Sequence, residues 1–122
     1  MPYKVEIVGN REYILIDHHG VATLSEVDEL RRIVYELAEK EAISRVVVDV
    51  RGITNSFSTV EFFNLTEKHA AYPTPMPKPR CALISRPDQL SDTKFIEDVA
   101  MNRSLPVRAF TDVEEAMKWL LN

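Results

Sequence analysis

The sequence is poor in the residues that mark several function classes. It has one cysteine, Cys81, so no internal disulfide can form. Cys81 lies in the apolar run Cys81-Ala82-Leu83-Ile84 with no metal-ligand or catalytic spacing around it, and reads as a small core thiol. The three glycines, Gly9, Gly20 and Gly52, never form the glycine-rich run that cradles a phosphate before a helix. Basic residues are in deficit, 15 Lys and Arg against 19 Asp and Glu for a formal net charge of −4, and they do not cluster. A dedicated nucleic-acid face and a polybasic membrane anchor are therefore not expected. No apolar run approaches the ~20 residues of a membrane helix, and the opening MPYKVEIVG lacks the apolar core of a secretion signal. A cytoplasmic protein is expected.

What is present suits one globular domain over residues 1–122, with 45% apolar and 28% charged residues. Residues 46–61, VVVDVRGITNSFSTVE, organise the chain. A β-branched run ends at Gly52, a short polar loop follows, and Ser58-Thr59-Val60-Glu61 has the spacing of a capping box. A buried strand thus delivers the chain to a helix N-terminus, where ligands and modifications tend to sit in open α/β sheets.

The remaining elements follow from periodicity. Residues 3–8 alternate and residues 13–16 are apolar, with turn residues between, which predicts an antiparallel hairpin whose first strand lies at an edge. Residues 25–40 carry Val27, Leu30, Ile33, Val34 and Leu37 at helical spacing, with Ser25 as N-cap. A second helix is expected over 59–71, burying Val60 and Phe63, with Leu65 and Ala70 as further inward candidates, until four prolines between Tyr72 and Pro79 impose a stiff, extended connection. A strand over 80–84, a helix starting near Ser91 or Asp92, and a strand over 107–110 follow. Thr111 and Glu114 suggest a capping box for the last helix. The expected architecture is α/β, ββαβαβαβα, a mixed and mostly parallel five-stranded sheet with four helices.

This order, the segment VVVDVRGIT at 46–54 and the ending VRAFTDVEEAMKWL at 107–120 resemble the STAS domain family, the fold of the bacterial anti-sigma-factor antagonists. More narrowly, the chain resembles the SpoIIAA-like group of small single-domain proteins. The resemblance implies a non-catalytic regulatory domain that binds a protein partner, and a lone domain of this size is open to homodimerisation. Aligned through Gly52, the family's hydroxyl pair falls on Ser58 and Thr59, with Thr59 where a partner kinase would act. Phe57 stands at the family's acidic position and Val60 at its glycine. The candidate phospho-acceptors are thus Ser58 and Thr59, and the candidate interaction surface is Thr54, Asn55, Ser56, Phe57, Ser58, Thr59 and Phe62. The simpler alternative is that Ser58 only caps the helix.

The STAS fold is also similar to the lipid-binding CRAL-TRIO fold, which makes a small apolar-ligand module the second expectation. Phe63, Tyr72 and Met76 are its candidate contacts, in a pocket between the second helix, the proline stretch and the sheet. A carrier needs an apolar cavity of several hundred cubic ångströms, whereas a partner-docking module needs a solid core and an exposed patch. No metal site or cofactor is expected: His18 and His19 are adjacent on a strand and point to opposite faces. Asp17 and Asp49 could form a carboxylate pair, but no nucleophile is brought to them, and Asp49 reads as a loop-amide acceptor. Enzyme activity is not expected.

Overall fold

The protein is described from a computed structural model covering residues 3–73 and 78–122. Strands β1 (Tyr3–Val8) and β2 (Tyr13–Gly20) form the expected antiparallel hairpin, turning through Gly9 at a φ of 68°. Then follow α1 (Leu24–Glu41), β3 (Arg45–Ile53), α2 (Thr59–Ala71), β4 (Arg80–Ile84), a 3-10 turn (Pro87–Gln89) running into α3 (Leu90–Met101), β5 (Val107–Phe110) and α4 (Val113–Leu121). The sheet order is β1-β2-β3-β4-β5, antiparallel only at its first pair.

This order decides the layers. Three successive parallel crossovers step in one direction across the sheet, so crossovers of one hand put α1, α2 and α3 on the same face. The packing agrees. Leu30, Val34 and Ala38 of α1 meet Ile14, Ile16 and Val46, while Ala100 of α3 meets Leu83, Val107 and Ala109, and Val48 packs against both groups. On the opposite face α4 packs over β3, β4 and β5, with Ala116 and Leu120 on Val47, Ala82 and Ile84. Alternation along β3 divides the valines between the two faces.

Helix ends differ from expectation in two places. Thr23, not Ser25, caps α1: its Oγ1 accepts from the Glu26 amide at 3.1 Å and the Glu26 carboxylate returns the bond to the Thr23 amide. Asp112, not Thr111, caps α4, accepting from the Glu114 amide at 2.8 Å. In each case two short polar residues compete, and the one followed by its amides in reach wins. Nor does Gly52 stop β3. It pairs with His19 beside a register shift, where a Cβ would lie 2.9 Å from the His19 Cβ, so close strand approach is what it permits.

The second helix departs most from its sequence reading. Val60 is 68% exposed and Phe63 40%, so neither is in the core. The inward stripe is Phe62, Leu65, Thr66 and His69, the i, i+3, i+4, i+7 set of one helix face. Two of those four are polar, which hid the stripe from a search for apolar periodicity.

Candidate functional site

Beneath α2 the structure is hollow. A cavity of about 260 Å³ runs between the sheet and the three helices of that face. Val46, Val48 and Val50, on one side of β3, make its floor together with Cys81 and Leu83. Three alternate residues of a strand span roughly 13 Å, so the space is long rather than round. Leu30 and Val34 of α1 form one wall, Ile96 and Ala100 of α3 the other, and the Phe62–His69 stripe the roof. Among the described residues Ala70 is the one side chain of α2 that packs against a buried apolar cluster. The helix spans its neighbours as a roof and does not sit down on the sheet.

The loop leading into α2 is strapped at each step. The Thr54 amide donates to the Gly20 carbonyl at 2.9 Å, continuing the β3 ladder. Asn55 grips the backbone of Ala22 twice, accepting from its amide at 2.8 Å and donating to its carbonyl at 2.9 Å. The Ser56 hydroxyl donates to Asp92 of α3 at 2.7 Å. Phe57 meets Phe62 edge to face, 5.6 Å between ring centres. Ser58 and Glu61 complete the expected capping box, with bonds of 3.2 and 2.8 Å.

These contacts sort the candidate residues. Asn55, Ser56, Phe57 and Phe62 line the cavity; Thr54, Ser58 and Thr59 lie outside it, and Thr59 is exposed. Asn55 and Ser56 are exposed as well as lining, so the cavity reaches the surface at this end. Of the expected apolar-ligand contacts, Phe63 does not line the cavity; its ring carries the Arg103 guanidinium at 5.5 Å. Tyr72 is also outside the lining, stacked on Tyr35 at 4.9 Å. Met76 falls outside the described residues. The helical phase of α2 explains the exchange of Phe63 for Phe62, since adjacent residues are about 100° apart around a helix.

At the other end of the cavity stand residues the sequence reading did not connect. Arg31 lines the space, and its guanidinium donates to Asp28 at 2.8 Å and to the Leu65 carbonyl at 3.2 Å, tying α1 to the α2 backbone. The Tyr35 hydroxyl lies 2.8 Å from His69 Nε2. Burial, helped by the nearby charges of Arg31 and Lys78, lowers the His69 pKa to about 4. Burial likewise pushes the Cys81 thiol up to about 12 and raises the Tyr35 phenol. All three are neutral at physiological pH. Cys81 on β4 and His69 on α2 share no motif, and nothing in the sequence signals that they share one chamber.

The remaining sites are plain. His18 is buried at 3% exposure and His19 exposed, on opposite faces. Asp17 and Asp49 are register partners, but Arg51 takes Asp49 with two side-chain bonds, at 3.0 and 2.8 Å, and an amide bond at 3.1 Å. Burial pushes the Asp49 carboxyl upward, and these bonds outweigh it and hold the pKa below the usual range. Asp49 is therefore a fixed anion and a poor proton donor. Among the described residues no cluster of His, Cys, Asp and Glu could hold a metal, and no helix is long and apolar enough to cross a membrane.

The chain is similar to the crystal structure of an uncharacterized protein of the DUF3478 family from Shewanella loihica PV-4, at a TM-score of 0.52 and 16% identity, over 97% of this chain and 91% of that one. That structure is described as having a SpoIIAA-like fold. The fold of this chain is SpoIIAA-like. No protein-family model and no curated protein matches the sequence. The SpoIIAA-like frame thus accounts for the hairpin, the three crossovers and α4, while the hollow beneath α2 is read from this chain's own side chains.

Proposed function

We propose that this protein is a non-catalytic binding module that holds a small apolar molecule in the cavity beneath α2. The observation that carries this reading is the hollow itself. Protein interiors are close-packed, with few voids larger than a water molecule. A fully enclosed void of about 260 Å³ would cost on the order of 6 kcal/mol at about 24 cal/mol per Å³; this one opens at its Asn55–Ser56 end and costs a part of that. An occupant recovers the lost contacts. The non-catalytic reading is supported by the lining chemistry: the Cys81 thiol is protonated, and the hydroxyls of Ser56, Thr66 and Thr93 are bonded to Asp92 or to neighbouring groups of the chain.

A second reading is favoured by a separate observation, the exposure of Thr59 and Val60 at the first turn of α2. There a protein partner would dock on the helix end, and phosphate on Thr59 would sit favourably at the N-terminal dipole while changing the local charge by nearly two units. This places docking on the outside of the roof and the ligand on its inside.

Native mass spectrometry of the protein purified from its own host tests both. A small-molecule adduct that is lost on denaturation is the result expected from the cavity, and a bare chain in every charge state would overturn it. A phosphate adduct mapped to Thr59 is expected from the second reading, and its absence throughout growth would remove the phosphorylation step.

A further inference from the structure

The polar atoms lining the cavity are already engaged within the protein. Asn55 spends its amide group on the Ala22 backbone. Gln89 does the same across the floor, donating to the Val50 carbonyl and accepting from the Arg86 amide, each at 2.8 Å. The Thr66 hydroxyl donates to the Phe62 carbonyl at 3.0 Å, and that of Thr93 lies 3.1 Å from the Ser85 hydroxyl. Tyr35 and His69 satisfy one another.

Charge is matched in the same way. Arg31 is the one Lys or Arg among the described lining residues, and Asp28 neutralises it through a 2.8 Å bond. Lys78 stacks on Tyr35 and Tyr72 and donates to the Tyr72 carbonyl, and is not a lining residue. The exception to full satisfaction is His18 Nε2, buried without a hydrogen-bond partner, 3.8 Å from an equally unpartnered Glu26 oxygen. An anion brought to that end would face the carboxylates of Glu26 and Asp92.

A ligand carboxylate would therefore lose its hydration and find no free cation, a cost of several kcal/mol. A hydrocarbon skeleton loses nothing of the kind and gains about 25 cal/mol for each Å² it buries. Size narrows the class further. A dry apolar cavity of roughly 150 Å³ takes one benzene ring, and by that scale about 260 Å³ takes on the order of ten non-hydrogen atoms.

We infer that the cavity takes an uncharged, hydrocarbon-like molecule of about that size, aromatic or short aliphatic, and discriminates against fatty acids and other anionic amphiphiles. This rests on the cavity being a binding site, and the test separates the two claims. The full chain is titrated at neutral pH with naphthalene and with 2-naphthoate, which share a skeleton and differ by one carboxylate, while the backbone amide resonances of Val48, Thr66 and Leu83 are followed. Naphthalene is expected to shift those resonances and to bind at least about tenfold more tightly than 2-naphthoate. In a Val48→Phe variant, whose new ring occupies the floor, naphthalene binding is expected to vanish; the wild-type shifts locate the ligand should that variant fold poorly. Equal or tighter binding of 2-naphthoate would overturn the inference and leave the cavity reading standing. Shifts confined to residues outside the cavity, or no binding of either probe, would overturn both.

Discussion

The two faces of the sheet are built from the same valine-rich strands and end in opposite states. On the α4 face, Leu120 and Ala116 press onto Val47, Ala82 and Ile84, and Leu120 has no accessible surface. On the other face three helices cover the sheet, yet the middle one contributes a roof and leaves about 260 Å³ beneath it. The short α4 packs solidly on β3, β4 and β5 because its inward residues reach the sheet, while Lys4, Glu6, Asp17 and His19 of the same face are exposed. Three helices side by side leave the central one held at its edges by α1 and α3, as the Arg31 bond to the Leu65 carbonyl and the Ser56 bond to Asp92 illustrate. Both faces carry buried clusters, and the hollow is confined to the space beneath the central helix.

The contrast is broken most severely by truncating one leucine on each side. Leu120→Ala is expected to cost about 3–4 kcal/mol, since a fully buried leucine loses both its transfer energy and its packing around the new void. Leu65→Ala removes a half-buried side chain that already borders empty space, and about 1 kcal/mol is expected. Urea denaturation of the two variants measures the difference. Equal losses would mean that the hollow face is as well packed as the solid one.

Acid sharpens the comparison from another side, because the buried His18 and the half-buried His69 both line the cavity. His69 takes its proton near pH 4 when folded and near its ordinary value of about 6.5 when unfolded. The unfolded chain binds more protons between those limits, so stability is complete above about pH 6.5 and falls as the pH drops toward 4, by about 3 kcal/mol in total from this residue. His18, whose pKa burial also lowers against the opposing pull of Glu26, adds to the loss in the same direction. Thermal melts across that range are expected to show the decline. His69→Gln should flatten most of it, and a slope unchanged by that substitution would place the acid sensitivity elsewhere.

How far these features were legible in the sequence follows the same division. The order of elements along the chain, the hairpin, the Ser58–Glu61 capping box and the α4 ending could be read because each depends on local spacing or on a connection rule. The cap positions slipped where two short polar residues stood together, Thr23 before Ser25 and Thr111 before Asp112. The place of the cavity, between the second helix and the sheet, followed from the family resemblance, but its lining was not legible. Periodicity says which side chains turn inward and is silent on whether they meet, and the inward stripe of α2 is concealed by Thr66 and His69. The sequence reading places Phe63 inside and Phe62 on the interaction surface, and the helix phase reverses the two. The satisfied state of Asn55, Gln89 and Thr93 depends on partners 33, 39 and 8 residues away, which no local pattern records.

The smallest effect expected is at the roof's own support. Ser58→Ala removes the hydroxyl that accepts from the Glu61 amide at 3.2 Å, and Thr23→Ala does the same for Glu26 at 3.1 Å on α1. Each should cost about 1 kcal/mol of global stability, but the local consequences differ. The α1 cap lies on a helix whose Leu30, Val34 and Ala38 are locked into a buried cluster, so its first turn is held from below. The first turn of α2 has Thr59 and Val60 exposed and the cavity beneath Phe62, so little besides the cap retains it. Amide hydrogen exchange should therefore accelerate along the first turn of α2 in Ser58→Ala well beyond the change at the start of α1 in Thr23→Ala. Similar acceleration at both ends would show that α2 is seated as firmly as α1, and the distinction between roof and core helix would not stand.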